Sequence, residues 1–199
     1  MAKVIANMSV SLDGFVADAS DGVTEVFTWH TQGDVPIRMP DGSESPSRVS
    51  KASSDFLSEM WAGCGALIAG RRTFDLSGGW NGEPPLGLHT FVVSHSIPEG
   101  WPRPGTPITF VTEGGVEAAV AQAKAHAGDR IVAVSGADVT QQCLNAGLLD
   151  ELSIELTPVL LGSGVRYLDK LAGTPVWLED PRVVEGTGVT HLVYEVRRA

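Results

Sequence analysis

Five short apolar runs constrain this chain most, because each stops at a cluster of small, polar or glycine residues. Val4–Ser11 runs into Leu12-Asp13-Gly14, and Ala66-Leu67-Ile68-Ala69 into Gly70-Arg71-Arg72-Thr73. Thr90–Val93 runs into Ser94-His95-Ser96, Ile108–Val111 into Thr112-Glu113-Gly114-Gly115, and Ile131-Val132-Ala133-Val134 into Ser135-Gly136-Ala137-Asp138. Between the runs the apolar period becomes helical. Val49, Ala52, Phe56, Leu57, Met60 and Trp61 recur at helical spacing before Gly63. Val116, Val120 and Ala123 share a helix face closed by Gly128, and a further helix stops at Gly147. Strands alternating with helices in this way predict an α/β domain on a mainly parallel sheet.

The C-terminal part changes pattern. Residues 152–161 read as a long strand carrying Pro158, and residues 182–185 and 189–196 flank Gly186-Thr187-Gly188 as a hairpin. An antiparallel C-terminal edge is therefore expected on the parallel sheet. Residues 18–47 are rich in Gly, Pro, Asp and Ser, broken by Val26-Phe27-Thr28-Trp29. So long a polar connection reads either as a lid carrying Trp29 and His30 over a substrate or as a contact to a partner subunit. No repeat or domain boundary interrupts the chain, so residues 1–199 are read as one domain.

Charge narrows the partners. A formal net charge of −10 argues against nucleic acid or an anionic membrane, since both need a concentrated basic surface. No apolar stretch approaches the ~20 residues of a membrane-spanning helix, and the N-terminal apolar run is too short for a secretory signal. The expectation is a cytoplasmic protein in which Cys64 and Cys143 are reduced, buried thiols. His30, His89, His95, His126 and His191 lack metal-ligand spacing, so no metal is expected. No G-x-G-x-x-G follows a strand, no Lys-Ser/Thr phosphate loop occurs, and Leu161-Gly162-Ser163-Gly164 has the wrong spacing for a hydrolase nucleophile.

What remains is positional. Ligands of open α/β sheets bind beyond the carboxyl ends of the strands, and parallel strands bring the five polar clusters to one edge. Gly70 lets backbone approach a ligand closely, while Arg71 and Arg72 supply the local positive charge an acidic chain otherwise lacks. Two clusters open helices, whose free N–H groups suit an anion. Each cluster also has a plainer reading: an ion pair from the arginines to Asp75 or Asp55, a simple turn at Ser94-His95, a strand-to-helix corner at Ser135-Gly136.

These residues, with three later stretches, resemble the dihydrofolate-reductase-like superfamily, and within it the C-terminal reductase domain of the bifunctional riboflavin-biosynthesis deaminase–reductase. The stretches that carry the resemblance are Met8-Ser9-Val10-Ser11-Leu12-Asp13-Gly14-Phe15-Val16-Ala17, Ala69-Gly70-Arg71-Arg72-Thr73-Phe74, Val134-Ser135-Gly136-Ala137, Gly147-Leu148-Leu149-Asp150-Glu151-Leu152 and Thr157-Pro158-Val159-Leu160-Leu161-Gly162-Ser163-Gly164. They keep the family's order over nearly the whole chain. Where the family usually carries a Gly-Gly pair, this chain has Ser135-Gly136.

The resemblance implies a single domain binding NADPH, often as a homodimer. Carried across, Ala6 and Leu12 to Gly14 lie near the nicotinamide. Gly70, Arg71 and Thr73 meet phosphates, Arg71 taking the adenosine 2′-phosphate. Ser94 and His95 flank the adenosine, with Thr112 closing the neighbouring strand end. Ser135, Gly136, Ala137, Asp138 and Val139 meet the pyrophosphate at a helix start. The implied reaction is hydride transfer to a small heterocyclic or ribosylamino substrate, 5-amino-6-(5-phosphoribosylamino)uracil among them. A dihydrofolate or pteridine reductase and a non-catalytic NADPH-binding protein are the alternatives. Such a reaction needs a proton, and a carboxyl with a raised pKa is its natural source or a substrate anchor. Asp13 is the first candidate, its plainer role being a turn with Gly14; Glu151 is the second, its plainer role a solvated strand-start carboxylate.

Overall fold

The computed structural model describes residues 2–197. In chain order the elements are β1 (Val4–Ser11), β2 (Phe15–Ala17), β3 (Val35–Arg38), β4 (Glu44–Val49) and α1 (Lys51–Ala62). Then come β5 (Cys64–Gly70), α2 (Arg71–Leu76), β6 (Thr90–Val93), β7 (Ile108–Val111), α3 (Gly115–Ala127), β8 (Ile131–Ser135) and α4 (Ala137–Asn145). The chain closes with β9 (Glu151–Thr157), β10 (Val165–Arg166), β11 (Arg182–Gly186) and β12 (Val189–Glu195). Among the described residues no helix is long and apolar enough to cross a membrane.

The chain divides into two compact units, each made of two chain segments. The first holds the N-terminal residues through Ala6 and Cys64–Asp150. Its strands run in the order β1-β8-β5-β6-β7, all parallel. The strands are Val-, Ile- and Ala-rich because helices cover them, as parallel sheets require. Gly65 shows how closely a helix end approaches: a Cβ there would lie 2.9 Å from the Ala127 Cβ of α3. Phe74, Val92 and Ile108 form one buried cluster, edged by Trp80, Trp101 and Phe110.

The second unit holds Asn7–Gly63 and the chain from Glu151 onward. Here β11, β12 and β9 form an antiparallel ladder, and the order continues to β1. The division between the units falls within β1, between Ala6 and Asn7. The hairpin expected at Gly186-Thr187-Gly188 joins β11 to β12, with Gly188 at φ +71°. Helix α1 starts at Ser50, whose side chain accepts from the Ser53 N–H, and its C-cap is Gly63.

Two expectations need correction. Strand β9 stops at Thr157 and not at Leu161, because Pro158 has no N–H to continue a ladder. The connection 18–47 is not weakly structured: β3 and β4 form a hairpin turned at Asp41-Gly42, and residues 28–31 form a single helical turn. Trp29 on that turn is fully buried with Ile37, Val49, Phe56, Leu57 and Val189, so it is a core anchor and not the exposed face of a lid.

Candidate functional site

In the first unit β5, β6, β7 and β8 are parallel, so Gly70, Ser94, Thr112 and Ser135 leave the sheet at the same edge. The Arg71 guanidinium spans that edge. Its Nε donates to both Asp75 carboxylate oxygens at 2.8 and 2.9 Å, and its Nη1 reaches Ser94 Oγ at 3.4 Å and the Ser96 carbonyl at 3.1 Å. The plain ion pair to Asp75 is therefore present, and it orients the fork so that the cation lies over the end of β6.

Gly136 is the other fixed point. Its φ of +112° is a conformation that side-chain-bearing residues rarely adopt, and a Cβ there would lie 2.9 Å from Thr73 Oγ1. Thr140 Oγ1 donates to the Gly136 carbonyl at 2.8 Å and holds this corner. Helix α4 begins one residue later with no side chain capping its first turn, so its leading N–H groups remain available to an anion. Ala137 and Val139 are buried, and Val139 packs where a Cβ on Gly70 would sit, 3.4 Å away. Asp138, an unfavourable charge beside a phosphate, is exposed and hydrogen-bonded by Gln142. His95 and Thr112 are exposed, Ser135 is half-buried, and Ala6 is fully buried opposite Val134.

In the second unit Asp13 behaves unlike a raised-pKa acid. Its carboxylate accepts the Ser11 hydroxyl at 2.6 Å and the N–H groups of Leu161 at 3.1 Å and Gly162 at 2.7 Å. These donors, the Ser11 hydroxyl foremost, bring its pKa down to about 2. These donors therefore favour the carboxylate form of Asp13, the reverse of the raised pKa looked for in a proton source, and they tie the 161–162 backbone to the β1–β2 turn. Gly14 takes φ +90° in that turn and Leu12 is exposed. The Arg166 guanidinium stacks 4.5 Å over the Phe15 ring and reaches the Asp13 carbonyl at 3.5 Å. Glu151 is half-buried at the start of β9, opposite Glu195.

The carboxyl that burial does push up is Glu155, which sequence reasoning missed. It is 4% exposed and accepts the Ser9 hydroxyl at 2.6 Å, and the Asn7 amide bonds to it as well. Trp29 Nε1 donates in turn to Ser9 Oγ at 3.2 Å. His191, directly opposite Glu155 on β12, is fully buried; burial, aided by His30, brings its pKa down to about 4. The only sequence signal was the alternation of Ser153, Glu155 and Thr157 with Leu152, Ile154 and Leu156, which looks like an ordinary solvent face.

Residues 2–185 match the RibD C-terminal domain model. The chain belongs to that family. A crystal structure of a putative riboflavin biosynthesis protein from Shewanella sp. PV-4 aligns over 100% of both chains, with 25% identity and a TM-score of 0.72. Dihydrofolate reductase from Enterococcus faecalis, solved with NADP(H), has 15% identity, a TM-score of 0.57, and 98% and 97% coverage. The deaminase/5-amino-6-(5-phosphoribosylamino)uracil reductase of Thermotoga maritima has 12% identity and a TM-score of 0.61; the match covers 98% of this chain and 57% of that one. No curated protein sequence matches. The RibD C-terminal domain is a reductase domain with a dihydrofolate-reductase-like α/β fold, and this chain shares that fold.

Proposed function

We propose that this RibD-family domain is an NADPH-dependent reductase acting on a small heterocyclic or ribosylamino substrate. The observation that carries the reading is the edge of the first unit, where an oriented Arg71 and the side-chain-free corner at Gly136 flank the uncapped start of α4. These residues fit a dinucleotide phosphate. A Cβ would fill the corner that Gly136 leaves open, Thr73 contributes a hydroxyl there, and Arg71 provides a cation in a chain of net charge −10.

NADPH, when bound, supplies the hydride. The chain's own residues would hold it: Arg71 and Ser94 the 2′-phosphate, and Gly136 with the first N–H groups of α4 the pyrophosphate. Gly70, Thr73, Ser135, Ala137 and Val139 shape the same edge, with His95 and Thr112 at its rim. Asp13, ionised and bonded to the 161–162 backbone, sets the shape of the β1–β2 turn and holds no proton to donate. The support for a riboflavin-type acceptor is family membership and the 5-amino-6-(5-phosphoribosylamino)uracil reductase among the structural neighbours. A homodimer belongs to the same reading.

The test is turnover by the pure chain with NADPH, offered 5-amino-6-(5-phosphoribosylamino)uracil and dihydrofolate in parallel. Consumption of NADPH with the first acceptor alone is expected. Binding of NADPH with no turnover on either acceptor would leave a dinucleotide-binding protein and overturn the reductase reading.

A further inference from the structure

A polar chain of five side chains in the second unit is buried at every member but one. Trp29 Nε1 donates to Ser9 Oγ at 3.2 Å, and the Ser9 hydroxyl donates to Glu155 Oε2 at 2.6 Å. From the other end the Asn7 amide nitrogen donates to Ser153 Oγ at 3.1 Å and also to the Glu155 carboxyl. Trp29, Ser9, Ser153 and Glu155 are all buried, and only Asn7 is half-buried. Each of these bonds to Glu155 is donated toward it, so its part in the chain is to accept.

That acceptance fixes the Asn7 amide. A carboxamide carries two donors on its nitrogen and an oxygen that only accepts. Glu155 and Ser153 take the nitrogen, which turns Oδ1 away from them, and Oδ1 has no partner among the described residues. An oxygen held in this way suits an N–H and turns away a group that offers only acceptors, such as a phosphate or a carboxylate. Stability alone does not account for the arrangement, because an apolar residue of similar volume does at least as well as a buried carboxyl. What Glu155 provides and an apolar residue does not is an acceptor that orients the amide.

We propose that Asn7 is a substrate-binding residue whose Oδ1 accepts a ring N–H of a lactam heterocycle, with Glu155 and Ser153 as the residues that position it. The choice of a heterocycle rests on the reductase reading above. The inference adds the edge of the substrate that is recognised: the one carrying N–H beside a ring carbonyl, as uracil and pterins do, and not a phosphate. Ser9 and Trp29 act one step further back, by holding the Glu155 carboxyl in place. A site built around one acceptor penalises a ligand that has lost the matching N–H, because the oxygen is then left unpaired.

Calorimetric titration of the full chain, with NADP+ present, tests this with 5-amino-6-(5-phosphoribosylamino)uracil and the same compound methylated on both ring nitrogens. The unmodified chain should bind the methylated compound about tenfold more weakly, the loss of one hydrogen bond. Asn7→Ala should bind the two alike. Glu155→Leu removes the inward acceptor and should lose the same discrimination, whereas Glu155→Gln keeps an acceptor and should retain it. Should Glu155→Leu fail to fold, NMR of the isotope-labelled unmodified chain gives a second measure. Both Asn7 amide protons should exchange slowly, and their resonances should shift with the uracil compound and not with its methylated form. Equal affinity of the unmodified chain for the two compounds overturns the inference, as does binding of neither, a preference that survives Asn7→Ala, or fast exchange of the Asn7 amide. Failure of the reductase reading looks different: discrimination that depends on Asn7, with no oxidation of NADPH, keeps the binding residue and removes the reaction.

Discussion

Gly136 and Thr73 fit together only because position 136 has no side chain: a Cβ there would stand 2.9 Å from Thr73 Oγ1, on a backbone at φ +112°. Gly136→Ala should therefore lose about 1–3 kcal/mol of stability from backbone strain and overlap. NADPH affinity should fall with it, because the corner where the pyrophosphate is placed is then filled. Adding Thr73→Ala relieves the overlap but not the strain, so thermal melts should show partial recovery. Full recovery would show that the backbone conformation carries no cost.

Arg71→Gln separates cofactor recognition from stability. The Arg71–Asp75 pair is half-exposed, with side chains 35% and 51% accessible, and pairs of this kind contribute about 1 kcal/mol or less. A charge-assisted bond to the 2′-phosphate contributes about 1.5–3 kcal/mol, roughly a ten- to hundredfold change in affinity. Calorimetric titration should show that loss for NADPH and almost none for NADH, with the melting temperature nearly unchanged. Equal losses for both dinucleotides would remove Arg71 from the 2′-phosphate.

His191 and Glu155 give stability opposite slopes with pH. The folded chain depresses the His191 pKa from 6.5 to about 4, so its contribution is complete above 6.5 and is lost as pH falls toward 4, up to about 3 kcal/mol. The folded chain raises the Glu155 pKa, so its contribution is complete below the ordinary carboxylate range and is lost as pH rises through the folded value. Denaturant midpoints against pH should form a dome. His191→Phe should flatten the acid side and Glu155→Gln the alkaline side.

Trp29→Ala should cost about 3–5 kcal/mol, the usual range for emptying a large buried aromatic site. Were Trp29 a lid residue, the same change would alter substrate KM and leave the melting temperature in place. Urea unfolding of the variant distinguishes the two.

The parallel strands and the helices between them were legible in the sequence because their apolar periods are local, and the residues after β5, β6 and β8 do gather at one edge. Pro36, Pro46 and the serines around them hid the β3–β4 hairpin, whose pairing is made by register and not by alternation. Asp13 was legible as a position, but the full set of donors around it was not. Its lowered pKa comes foremost from the Ser11 hydroxyl two residues away and then from two N–H groups that arrive about 150 residues later in the chain.

By itself the sequence determined the α/β class and the polar strand ends with a cation among them, since strand period, helix stops and charge all act over a few residues. Only the tertiary structure decided what each titratable group is. Asp13 and Glu155 are both carboxyls in the second unit; Asp13 has one donor close in sequence, Ser11, while the donors to Glu155, Ser9 and Asn7, lie far from it in the chain. Folding surrounds one with donors and keeps it charged, and removes water from the other and pushes it toward neutral, because desolvation and hydrogen bonding depend on what packs around a group.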